Sequence, residues 1–251
     1  MARVITCSLR IAWATEQHNV SLAIAAQIFV NAGILIVYIV NLIFAQRILR
    51  ARRPDMGWHT LLRTFFRIMY ALLGASLILI IVLTVYSFFT LNPAIHSYAK
   101  WIQRGAILFL LIVAALPLVM IPLAFALHPH ANAETFGNGT VKSKAIVLLA
   151  GSTLCTLIAG FKVGTVWSAP RPVTNPAWYD SKAAFYIFNF TLEIMILCLY
   201  IGSRVDRRFH VPDGSSKVKS YATADVADSE NESEKPESLR KKESGLDVGA
   251  A

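Results

Sequence analysis

Carboxylates are scarce over most of this chain. Only five acids (Glu16, Asp55, Glu134, Asp180, Glu193) stand in residues 1–202, against fifteen Lys/Arg. Charged residues of both signs make up 16% of the whole, where soluble domains run near about a quarter. That shortage excludes an ordinary water-soluble globule, whose surface must carry charge. GxSxG, HExxH, Walker-loop and paired-carboxylate patterns are missing as well, so nothing in the sequence points to catalysis. The three cysteines (Cys7, Cys155, Cys198) are too few for a disulfide framework and show no CxxC or His/Cys spacing. The histidines make no di-histidine helical face. A non-enzymatic protein without metal or cofactor is expected.

Oil takes the place of charge. Hydrophobic residues make up 55% of the chain, and the mean hydropathy is +0.53. Five long apolar stretches stand out, at 20–44, 68–89, 105–127, 145–166 and 183–202. The first three hold no charge; the fourth carries Lys162 and the fifth Glu193. A hydrocarbon core of roughly 30 Å takes about 20 helical residues to cross. Backbone in lipid must satisfy its own hydrogen bonds, which selects helices over isolated strands. The polar outer face of a soluble helix is absent from these windows. The predicted fold class is therefore all-α, a polytopic membrane helix bundle with five transmembrane helices. Residues 1–19 read as a short outer segment and 20–210 as the membrane domain. Residues 211–251 turn to Ser, Asp, Glu and Lys, which predicts a disordered cytoplasmic tail with a cytosolic partner as one use for it.

The formal charge of +9 would suggest nucleic acid in a soluble protein. Here the basic residues flank the spans, so membrane lipid is the expected partner and nucleic acid is not. Eleven Lys/Arg fall on one side, among them Arg47, Arg50, Arg52 and Arg53 of a predicted basic loop 45–67, against six on the other. This places the N-terminus outside or in a lumen and the tail in the cytoplasm, with plasma membrane and endomembrane left open. Tyr98, Trp101, Trp167, Trp178 and Tyr179 gather at the predicted outer boundary, as amphipathic rings do. Of four glycosylation sequons, only Asn19 is placed where modification is weakly expected.

Polar groups in hydrocarbon are the first place to look for a ligand or proton-linked site. Glu193 leads, with Asn189 one turn before it on the same face. Gln27 and Asn31 repeat that spacing in the first span, and Asn41 lies lower. Lys162 is expected nearer the outer side, free to snorkel rather than pair with Glu193. Interhelical polar packing is the competing use of all these groups. Pro117 and Pro122 predict a kink in the third span, and Gly160 with Gly164 predicts close helix packing in the fourth.

Several stretches carry a family likeness. They are Leu22–Val30, Ile39–Arg47, Trp178–Glu193 and Arg204–Pro212. Together they resemble a fungal family of polytopic membrane proteins labelled "family C-like G-protein-coupled receptor protein". More distantly the chain is similar to fungal lipid-translocating exporter or sterol-resistance proteins, which have seven helices. The resemblance implies that two helices precede the segment matching Cys7–Trp13, so this chain is expected to lack the first two of seven. An even number leaves the orientation unchanged. Accommodation or export of a lipid or apolar small molecule, in a secondary-metabolite setting, is the leading functional expectation. A receptor-like sensor signalling through loop 45–67 and the tail, and a scaffold subunit of a membrane complex, are the alternatives.

Overall fold

A computed structural model of the chain describes residues 2–15, 19–89, 93–126, 136–168, 177–211 and 221. The predicted tail lies outside the described residues except for Val211 and Tyr221. The described part is helical throughout and contains no strand. Helix α1 (Ala2–Thr15) precedes the long α2 (Val20–Arg52), followed by a short α3 (Pro54–Gly57) and by α4 (Thr60–Phe89). Next come α5 (Pro93–Ala126) and α6 (Val141–Trp167). A 3-10 turn (Trp178–Asp180) leads into α7 (Lys182–Tyr186), a π-helical turn (Ile187–Thr191), α8 (Leu192–Gly202) and α9 (Val205–Arg208).

Five of these segments are long and apolar enough to cross a membrane: Ile24–Arg52, Thr60–Tyr86, Ser97–Ala126, Val141–Trp167 and Lys182–Gly202. They correspond one to one with the five spans read from the sequence. Their outward faces carry exposed Ile36, Leu72, Ile78, Ile112, Val119, Leu157 and Ile201. Water does not tolerate an apolar exterior this extensive on a monomer, whereas lipid does. The chain is thus a multi-pass helical protein of membrane type.

Helix α2 is the hub, packed against α1, α4, α5 and α6, while α5 pairs with α6 and α6 with α8. Three apolar clusters hold the bundle. One joins α2, α4 and α5 through Leu42, Phe66, Leu73 and Val113. A second joins α2, α5, α6 and α8 through Tyr38, Ala114, Ile158 and Ile196. The third closes the end where α2 finishes, with Ile48, Ile121, Leu148 and Phe209. We call this the basic end, and the opposite one, with Trp101 edge-on to Trp167 at 6.4 Å, the aromatic end.

Several details depart from the sequence reading. The predicted basic loop is mostly helix: α2 continues past Phe44 to Arg52, so Arg47, Arg50 and Arg52 are helical and Arg53 is its C-cap. No breaker intervenes before Pro54, and Ala45, Ile48 and Ala51 bury one face of the extension. Its arginines bond inward. Arg47 donates to the Phe209 carbonyl, Arg50 to that of Gly57 (3.3 Å) and Arg52 to that of Ala124 (2.8 Å). Within the short outer segment stands α1, whose Arg10 guanidinium lies 4.2 Å from the Phe185 ring centre. Helix α5 contains Pro117 and Pro122 and continues through both. Among the described residues, a Cβ added at Gly160 or Gly164 meets nothing within 4 Å. The close approach occurs instead at Gly151, beneath the Tyr200 ring.

Candidate binding cavity

A cavity of about 340 Å³ opens among α2, α4, α5, α6 and the α7 region in the aromatic half of the bundle. Its polar side chains follow a pattern that α2, α5 and α6 share. On α2, Gln27 and Asn31 lie nearer the aromatic end, and Ile34, Leu35 and Tyr38 lie deeper. On α5, Gln103 precedes Ile107 and Leu110. On α6, which runs the other way, Ala159 is deepest and Lys162 and Thr165 sit higher. Tyr179 and Asp180 stand at the top of the last wall, with Phe185 below. Leu77 and Ile80 of α4 complete an apolar side. Most of the polar groups therefore crown the cavity, and its body is hydrocarbon apart from Tyr38 and Asn189.

The crown is organised by hydrogen bonds. The Lys162 ammonium donates to Asn31 Oδ1 at 3.0 Å, tying α6 to α2 across the cavity. Lys162 thus turns inward toward Asn31 of α2, a partner not weighed for it from the sequence. Asp180 is exposed, and its Oδ2 accepts the Ala177 N–H at 3.3 Å, which fixes the 3-10 turn above the cavity. Arg104 lies beside the crown, with its guanidinium 5.1 Å from Trp101 and 5.6 Å from Trp167, and donates to the Val166 carbonyl.

Asn189 forms part of the deeper wall and is buried. It sits in the π-helical turn, where the Leu192 N–H reaches the Ile187 carbonyl five residues back. Its Nδ2 donates to the Phe185 carbonyl at 3.0 Å, so the side chain supplies a donor where the widened turn disturbs the ladder. Glu193 is 3% exposed and lies one turn beyond, outside the cavity lining. Of the five intramembrane candidates, Gln27, Asn31, Lys162 and Asn189 share one cavity, and Glu193 sits beneath it. Asn41 belongs to a different structure. It donates to Cys155 Sγ at 3.0 Å and accepts from the Tyr200 hydroxyl, a polar knot binding α2, α6 and α8. Asn19 is exposed at the N-cap of α2.

Gln103, Thr165 and Asp180 were not singled out from the sequence as site residues, and Tyr179 stood out only as a boundary aromatic. Gln103 falls just ahead of the apolar run beginning at Gly105, and Thr165 is one hydroxyl in an oily span. Their shared side becomes visible only when the helices are assembled.

This geometry frames the comparison with known proteins. Residues 136–210 match a family model described as a protein of unknown function (DUF3112). No curated protein and no solved structure matches the chain. The matched segment begins at the turn before α6 and ends just after α9. It thus contains the wall formed by Phe161, Lys162, Thr165, Tyr179, Asp180, Phe185 and Asn189, while the walls from α2, α4 and α5 lie outside it.

Proposed function

We propose that this is a non-enzymatic multi-pass membrane protein that accommodates a single-chain lipid, or an apolar small molecule of similar size, with its polar end among Gln27, Asn31, Gln103 and Lys162. The observation that carries this reading is that α2, α5 and α6 each place their polar lining (Gln27 and Asn31, Gln103, Lys162 and Thr165) toward one end, over a body that is apolar except for Tyr38 and Asn189. At interior packing density the cavity has room for roughly 15–20 non-hydrogen atoms. That is ample for one hydrocarbon chain and too little for a two-chain phospholipid. Ligand pockets are commonly of this kind, mostly apolar with a few placed polar groups. The distant sequence resemblance to lipid-translocating exporters is what suggests a role in movement or tolerance of such molecules. The receptor-like alternative draws less support, because Arg47, Arg50 and Arg52 are engaged within the bundle rather than presented on a loop.

Ile107→Trp tests the proposal by filling the middle of the cavity. The purified protein in detergent is titrated with single-chain amphiphiles of varied head and chain length, and binding is read by thermal unfolding and native mass spectrometry. Wild type should show a ligand-dependent rise in Tm that the variant loses, with affinity falling on the order of tenfold, or about 1.4 kcal/mol. Equal binding by the two proteins rules the cavity out as the site.

A further inference from the structure

The basic end holds a second, separate cavity of about 520 Å³. Its wall is made by Asn138, Gly139 and Thr140 of the turn before α6, by Ser143, and by Gly202, Ser203, Arg204, Arg207 and Arg208 after α8. Three guanidinium-bearing residues line it and no carboxylate does. Like charges gathered in one wall repel one another, so such a set is most stable with an anion among them. Asp206 is the nearest acid in sequence, and it lines an adjoining cavity with Arg207 and His210.

The backbone of the turn and Arg208 are held by hydrogen bonds, while Arg204 and Arg207 are exposed at the mouth. Arg208 donates to Ser143 Oγ at 2.5 Å, and the Asn138 N–H donates to the Arg207 carbonyl at 3.1 Å. Arg204 adopts the left-handed conformation with φ 49°, which turns the chain from α8 into α9 and brings the three arginines round one hollow. Ser143 stands in the first turn of the 27-residue α6, whose positive end adds to the same field. The two borders of the family match, at 136 and 210, also meet here.

We propose that this cavity binds a phosphoryl group, held by Arg204, Arg207 and Arg208. Guanidinium groups pair with phosphate oxygens through two parallel hydrogen bonds, and basic pockets between membrane helices are suited to anionic headgroups. The phosphoryl group belongs either to a lipid in the adjacent leaflet or to a soluble phosphate compound. This site does not depend on the amphiphile cavity at the other end.

The test uses the full chain in neutral detergent, with dioctanoyl phosphatidic acid, dioctanoyl phosphatidylcholine and inorganic phosphate as probes, read by native mass spectrometry and calorimetry. Arg204→Gly with Arg207→Gln removes two guanidinium groups, and glycine suits the left-handed backbone at 204, so folding is retained. Arg204→Gly alone serves if the double variant elutes abnormally in gel filtration. Arg63→Gln with Arg67→Gln removes the same charge from exposed positions at the start of α4. The proposal expects phosphatidic acid affinity to fall on the order of tenfold in the first pair and to change less than about twofold in the second. Phosphatidic acid binding that inorganic phosphate does not displace assigns the site to a lipid headgroup; full displacement assigns it to soluble phosphate compounds. Equal losses in the two double variants, or phosphatidylcholine binding as strong as phosphatidic acid, would overturn it.

Discussion

Alanine at Gly137 is expected to lower stability by about 3 kcal/mol, the sum of two costs that fall on one residue. Gly137 has φ +53°, a left-handed conformation that costs an L-residue roughly 1–2 kcal/mol. A Cβ there would also lie 2.4 Å from the Arg208 carbonyl oxygen and 3.0 Å from that of Arg207. Those are backbone atoms, and the Asn138 N–H bond to Arg207 prevents them from retreating. Overpacking of this kind adds about 1–3 kcal/mol. The damage would spread to Phe136, which packs between Phe209 and Tyr221, and so to the closure of the basic end. Gly139→Ala separates the two costs. Its φ is +89° but nothing lies within 4 Å of the added carbon, so only the conformational part applies. Unfolding in detergent should rank Gly137→Ala well below Gly139→Ala; equal losses would mean the contact with Arg208 carries no weight.

The second large effect is expected at Gly151. A Cβ on this residue would stand 2.2 Å from the Tyr200 hydroxyl and 2.7 Å from the ring. Tyr200 must then swing away from α6, which breaks its bond to Asn41 and loosens the knot with Cys155. The crowding costs about 1–3 kcal/mol, and the lost interhelical hydrogen bond about 0.6 kcal/mol more. Tyr200→Leu removes the ring and its hydroxyl, so adding Gly151→Ala to that background should cost little. A double-mutant cycle measures this coupling directly. Strict additivity of the two changes would contradict the packing described for α6 and α8.

The sequence made the membrane architecture legible because the signal is thermodynamic and long. Twenty apolar residues without a polar face leave few options, and all five spans reappear as helices. Ends were harder. Past Phe44 hydropathy drops at Gln46 and Arg47, yet the helix continues to Arg52, because arginine is a good helix former and Ile48 and Ala51 still pack inward. Hydropathy reports on solvent, not on helix length. Glycine spacing alone did not show which small residue takes the tight contact within the described part. Gly160 and Gly164 have the small-xxx-small form, but a lone Gly151 takes the tight contact, since a bulky partner at Tyr200 decides which small residue is needed.

The candidate site was legible in fragments. Gln27, Asn31, Lys162 and Asn189 stood out one by one because polar groups in hydrocarbon are costly. Nothing in linear order showed that α2, α6 and the last span bring them to one cavity, Asn189 deeper than the rest and Gln103 and Thr165 beside the crown. The Lys162 bond to Asn31 joins residues 131 positions apart, a pairing that periodicity cannot reveal. The π-helical turn at Asn189 was equally hidden, because an i→i−5 bond leaves no mark in composition.

Photo-crosslinking with two versions of one single-chain amphiphile tests the central claim most directly, with a diazirine beside the head in one and at the chain end in the other. The head-labelled version should mark peptides containing Asn31 and Thr165, and the tail-labelled version those containing Leu110 and Ala159. Identical labelling by both versions, or labelling confined to outward-facing side chains such as Ile112 and Leu157, would contradict the oriented cavity proposed for this protein.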